Sequence, residues 1–171
     1  MVDMDMVILG SLAGMPAHGY QLKRNIESTF GKRYLNLSNS RLYPRLAKLE
    51  SDGCIEGHKE PQDKTPDRVV YKVTPAGFVR LKELVAAPID PRDDMFDFMS
   101  RAAFFGLIAP EERRRLIEPM YKDKLEELAG ARKKREQYGP VMDKYSLAVL
   151  DWGIGQLERT IGLFETLMDL E

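Results

Sequence analysis

At 171 residues, with 43% hydrophobic and 31% charged residues and a formal net charge of −1, the chain has the composition of one large or two small globular domains. It lacks the net basicity of a general nucleic-acid binder, no apolar run reaches the ~18 residues of a membrane span, and the acidic residues ahead of the short apolar run in "MVDMDMVILG" make it a poor signal peptide. The single cysteine, Cys54, excludes an internal disulfide and fits a reducing, cytoplasmic setting, and with only two histidines beside it there is no metal-ligand spacing.

In chain order, "MDMVILGSLA" predicts an apolar helix capped by Asp3 or Asp5, broken at "MPAHGY" by Pro16 and Gly19. "YQLKRNIESTF" predicts a second helix, with Leu22, Ile26 and Phe30 on one face, and "GKRYLNLSN" a turn or short connector. A third helix follows at residues 39–52, with Leu42, Leu46 and Leu49 in one stripe and Gly53 as its left-handed stop. Pro44 is tolerable there if Ser38, Asn39 or Ser40 caps the helix, because the first turn has no N–H partners to lose. "CIEGHKE" and "RVVYKVT" read as two strands of a hairpin around the polar loop "PQDKTPD". Thr74 caps a further helix with Pro75 at its first position and Phe78, Leu81 and Leu84 inward; "APIDPRDD" then reads as a domain boundary.

Three helices, a two-stranded hairpin and a trailing helix describe a winged helix-turn-helix, whose second helix of the pair enters the DNA major groove. The charge distribution agrees: His18 to Leu49 holds seven basic residues against one acidic residue, Glu27, whereas residues 88–171 hold 13 basic and 17 acidic. Asn39, Ser40, Arg41 and Tyr43 are the base- or phosphate-contacting candidates, since asparagine can pair bidentately with adenine and arginine with guanine; Asn39 and Ser40 as mere caps is the alternative. Arg45, Lys48, Lys23 and Arg24 are placed for phosphates, and Lys64 and Arg68 for wing contacts. His18 and Tyr20 flank the turn at Gly19. They read as a structural turn with Tyr20 packed inside, or as part of a ligand sensor.

"VILGSLAGMPAHGYQLKRNIE", "SNSRLYPRLAKLESDGCIE" and "RVVYKVTPAGFVRL", in that order, resemble the PadR family of transcriptional regulators over about residues 5–85. The wing departs from the family pattern, reading "KTPDRVVYKVT" where members often carry glycine and prolines before a basic-aromatic strand. The resemblance implies a cytoplasmic homodimer that binds an inverted-repeat operator, usually as a repressor, and often responds to a small, frequently aromatic molecule. The long C-terminal half is similar to the larger subgroup, with a helical dimerisation domain.

That half predicts a helix at 92–107 rich in Met95, Phe96, Phe98, Met99, Phe104 and Phe105, then a charged helix at 110–138 kinked or split by Pro119, and a last helix from near Pro140. Leu147, Leu150, Ile154, Leu157, Ile161, Phe164 and Met168 are spaced 3, 4, 3, 4, 3, 4, a heptad seam that packs within the chain or, with the resemblance, forms the dimer interface. Gly153, Gly155 and Gly162 each cost that helix about 1 kcal/mol, so it depends on packing. Trp152 lies off the seam on a stripe with Tyr145 and Val149; core packing is the default, and an effector pocket with Phe96 and Phe98 the alternative. "ERRRL" and "ARKKRE" read as solvated faces.

The expected fold is therefore mainly α with a small β-hairpin wing: a winged helix-turn-helix over 1–88 and an α-helical dimerisation and effector domain over 89–171. The expected function is a DNA-binding, effector-released repressor that acts as a homodimer, without cofactor, metal or membrane. A winged-helix module that binds only proteins is the alternative, and an enzyme fits worse, since no nucleophile elbow, phosphate-binding glycine loop or dinucleotide fingerprint is present.

Overall fold

The computed structural model describes residues 2–32, 35, 37–60, 68–89 and 94–170. The order is α1 (Met4–Gly14), β1 (Ala17–His18), α2 (Gly19–Phe30), α3 (Asn39–Ser51), β2 (Ile55–Glu60), β3 (Arg68–Val73), α4 (Pro75–Ala86), α5 (Met95–Ala102), α6 (Pro110–Tyr138) and α7 (Lys144–Asp169). The fold is mainly α, as expected. The chain divides into two compact units: α1 to α5 with the 3₁₀ turn at Phe105–Leu107, and α6 with α7.

In the first unit, α1 is apolar all round because it is the centre of the core, with Met6, Val7, Ile8, Leu9 and Leu12 buried. Asp3 Oδ1 accepts the Asp5 and Met6 N–H groups and starts it. The wing is part of a three-stranded antiparallel sheet in the order β1-β3-β2 rather than a lone hairpin. The "MPAHGY" break supplies the extra strand, pairing Ala17 with Tyr71 and His18 with Val70. The connector after α2 is also more than a turn: Leu35 and Leu37 are buried, and Gly31 (φ 85°) takes the left-handed conformation that ends α2.

Two expectations shift by less than two turns, each for a steric reason. On α4 the inward face is Gly77, Leu81 and Val85, while Phe78 is 40% exposed and Leu84 only half-buried. Gly77 sets this phase, since a Cβ there would stand 1.9 Å from the Cys54 carbonyl oxygen; only glycine lets the helix come so close. The expected helix at 92–107 is shorter. It ends at Ala102 and a 3₁₀ turn follows, so that Phe104 fits against Gly10 of α1 and Phe30 of α2, and Phe98 meets Phe105 edge-on at 5.9 Å. These aromatics carry α5 into the N-terminal unit, so the compact units do not divide at residue 88.

The second unit is an antiparallel helical hairpin. Ile117, Met120 and Leu128 of α6 and Ile161 and Phe164 of α7 are buried. Pro119 neither splits nor ends α6, which runs unbroken for 29 residues. Tyr121–Glu165 (3.0 Å), Arg132–Glu158 (2.7 Å) and Arg135–Asp151 (2.9 Å) form a polar ladder that fixes the register of the two helices.

Candidate nucleic-acid interface

At 3.6 residues per turn, the leucine stripe of α3 turns Ser40, Pro44, Ala47 and Ser51 to the opposite side, where all four are exposed. Arg41, Arg45 and Lys48 flank that surface on one edge, and Tyr43 and Glu50 on the other. The outward face is thus small and polar, edged by cations. Ser38 is the N-cap but makes no capping bond; its Oγ lies 2.8 Å from Ser40 Oγ. Asn39 does not cap either: its Oδ1 accepts from Lys23 Nζ at 3.5 Å. Pro44 sits one turn deeper than the uncapped N–H positions, so the Ser40 carbonyl has no helical donor four residues on.

The basic side chains are not equivalent. Arg45 Nη1 donates to Asp5 Oδ1 at 2.7 Å, bracing α3 against the start of α1. Lys48 pairs loosely with Asp52 at 3.4 Å, and Lys23 with Glu27 at 3.8 Å; both are exchangeable surface pairs. Arg24, Arg41 and Arg68 are exposed. Lys64 lies outside the described residues.

Beside this surface Glu50 Oε1 accepts the Gly57 N–H at 3.0 Å, tying the end of α3 to β2 of the wing. A Cβ on Gly57 would fall 2.7 Å from that oxygen and 2.8 Å from Val69 Cγ1. Burial, together with the Glu50 carboxylate, pushes the Tyr71 phenol above its ordinary pKa. A cleft of about 260 Å³ opens between the start of α2, the Tyr43 flank of α3 and β3. His18 and Tyr20 line it, their rings stacked 6.5 Å apart. His18 also caps α2, its Nδ1 accepting the Gln21 N–H at 3.2 Å. Tyr20 is 63% exposed, so it is not packed inside.

Residues 8–83, which hold this entire surface, match the family model described as "Transcriptional regulator PadR-like family". Over this segment the chain is similar to the PadR-like family of transcriptional regulators. No curated protein matches it. Among solved structures it is similar to Bacillus subtilis PadR in complex with operator DNA, at 19% identity and TM-score 0.47, covering 96% of this chain and 95% of that one. It is also similar to a Streptococcus mutans UA159 protein (21%, TM-score 0.48, 97% and 98% covered) and to B. subtilis PadR in complex with p-coumaric acid (21%, TM-score 0.39, 96% of each).

The residues considered for an effector fall into different settings. Phe98 is fully buried in the first unit and Phe96 is half-buried there. Trp152 is 64% exposed on α7, as are its stripe partners Tyr145 (72%) and Val149 (69%), so core packing of that stripe does not hold within the chain. Along the seam, Ile161 and Phe164 are buried, while Leu147, Leu150, Ile154, Leu157 and Met168 are half-buried. Leu150, Ile154 and Leu157 line an open apolar groove of about 820 Å³ with Ala131 of α6. The basic runs are not simply solvated: Arg113 is buried and donates to the Leu170 carbonyl at 2.5 Å, and Arg132 and Arg135 belong to the ladder. Among the described residues no His, Cys, Asp and Glu cluster suits a metal, and no helix is long and apolar enough to cross a membrane.

Sequence reading missed Asp5, Glu50, Gly57 and Gly77. Only Gly57 gave a local signal, a glycine inside a strand pattern, which marks a close approach.

Proposed function

We propose that this regulator is a cytoplasmic, homodimeric repressor that binds an inverted-repeat operator in double-stranded DNA and is released by a small, aromatic effector. The observation that supports it best is the outward face of α3: small and polar at its centre, cationic along one edge and tied to the wing along the other. Such a face lets the helix enter a major groove, with Ser40, Arg41 and Tyr43 at base edges and Lys48, Lys23, Arg24 and Arg68 at phosphates. Asn39, occupied by Lys23, serves to aim that lysine.

Dimerisation belongs to α7. Tyr145, Val149 and Trp152 form an exposed apolar stripe continuous with the groove along Leu150, Ile154 and Leu157, the kind of contiguous apolar surface that suits a partner helix. A second copy covering it sets two reading heads about 34 Å apart, one turn of DNA.

Selection of bound fragments from the chain's own genome tests this reading. Enriched fragments sharing a palindrome, whose affinity falls roughly 5- to 100-fold in Arg41→Ala, are the expected result. Enrichment without a shared inverted repeat contradicts it.

A further inference from the structure

Resting on the reading of the chain as a DNA-binding regulator, we propose that Pro44 is a specificity determinant at the centre of α3. Its ring meets the methyl group of a thymine, and the Ser40 carbonyl that it leaves without a helical donor accepts the amino group of the adenine paired to that thymine.

Proline inside a helix is unfavourable, because it has no N–H for the carbonyl four residues back and its ring crowds that carbonyl. In α3 it stands past the first turn, where this penalty applies. The core does not offset it. Leu42, Leu46 and Leu49 make the buried stripe, and Pro44 is exposed on the opposite side with Ser40, Ala47 and Ser51. Nor does the proline end the helix: α3 continues to Ser51, with Leu46 and Leu49 still buried in phase. What it changes is the chemistry of the outward face.

That change is twofold. A helical carbonyl points along the axis toward the residue four on, so the Ser40 oxygen opens beside the Pro44 ring on the outward face. Ordinary interior positions offer no such acceptor, because the N–H four residues on takes up their carbonyls. The Ser40 hydroxyl is already engaged with Ser38 Oγ at 2.8 Å, which leaves the carbonyl as the more available acceptor. The ring itself is rigid and apolar. Ala47, one turn on, is a single methyl group, so this row lets bases come close, while Arg41, Arg45 and Lys48 stand along the edge.

An apolar ring beside a bare acceptor fits one kind of base pair. In the major groove thymine offers a C5-methyl group and its adenine an N6 amino donor, whereas a G·C pair offers no methyl group.

The test uses the full chain and a selected operator. Single thymines of one half-site are replaced by deoxyuridine, which lacks only the methyl group, and single adenines by deoxynebularine, which lacks only the amino group. For the parent chain one thymine should be sensitive by roughly threefold to fivefold in Kd, the weight of one buried methyl. Its paired adenine should be sensitive by roughly threefold to tenfold, the weight of one hydrogen bond. Pro44→Ala returns an N–H to the helix and removes the ring. It should raise the melting temperature, keep the salt slope, bind the operator more weakly and lose both base sensitivities. Ser40→Ala removes the hydroxyl and leaves the carbonyl, so the adenine sensitivity should persist. The proposal is overturned, with operator binding still standing, if the parent shows no sensitive thymine–adenine pair, if Pro44→Ala keeps the sensitivities or binds the operator as tightly as the parent, or if the adenine sensitivity vanishes in Ser40→Ala. Failure of the parent chain to bind any selected DNA sinks the regulator reading instead.

Discussion

Arg45 carries a positive charge beside the outward face of α3, the proposed reading face, yet Asp5 holds its guanidinium at 2.7 Å. The carboxylate cancels that charge locally and keeps the side chain turned to α1. Asp5→Asn should therefore tighten binding to a scrambled duplex more than to the operator and steepen the salt slope by about 0.9, the release expected for one further phosphate contact. An unchanged slope would mean Arg45 never reaches DNA. At Asp143 the Ser146 side chain, with the N–H groups of Ser146 and Tyr145, holds the carboxylate below its ordinary pKa. A folded-state pKa below the unfolded one, about 3.9, gives stability that is present above that value and lost as pH falls through the folded one. Asp143→Ala should thus lower thermal stability at pH 7, and the difference from the parent chain should shrink below pH ~4, read by circular dichroism. Residue types on the outward face of α3 were legible in sequence because polar and basic side chains interrupt a leucine stripe. Their pairings were not, because Asp5 lies 40 residues from Arg45 and only the packing of α1 on α3 brings them together.

Among the elements, α4 shows how one close contact overrides a periodic pattern. Phe78, Leu81 and Leu84 formed a credible inner face, but the approach of Gly77 to the Cys54 carbonyl rotates the helix to Gly77, Leu81 and Val85. Gly77→Ala should destabilise the first unit by about 3 kcal/mol, at the upper end for overpacking, because the clash is with backbone and cannot relax by a rotamer change; urea unfolding reads it. Gly57→Ala meets side-chain atoms alone among its nearest neighbours: a carboxylate oxygen, a valine methyl and, in ordinary contact, the Tyr71 ring. It should cost roughly 1 kcal/mol while loosening the wing from α3, seen as faster hydrogen exchange of β2 amides. Helices and strands were legible because leucine and valine spacings differ between periods of 3.6 and 2. The strand at Ala17–His18 was not, because two residues carry no period.

At the scale of the whole molecule, α7 has two apolar faces, one buried in the hairpin and one exposed and proposed for the dimer. Phe164, fully buried against α6 in the hairpin, holds the chain's own fold, and Phe164→Ala should cost about 3–5 kcal/mol. Trp152, exposed, adds little to one chain; Trp152→Ala should leave its unfolding nearly unchanged and raise the dimer dissociation constant at least tenfold, the usual weight of an interface tryptophan, measured by sedimentation. The heptad in the sequence announced a helix-packing seam but could not say which helix it met, because α6 and a second copy offer the same apolar chemistry. Whether α3 of a dimer reads a palindrome is decided by fluorescence anisotropy with a selected operator and a scrambled duplex, across ~50–200 mM salt. Two chains should bind each duplex, at least ~10³-fold tighter on the operator and weakening steeply with salt; equal, weak binding to both duplexes, or one chain per duplex, would overturn the palindrome-reading dimer.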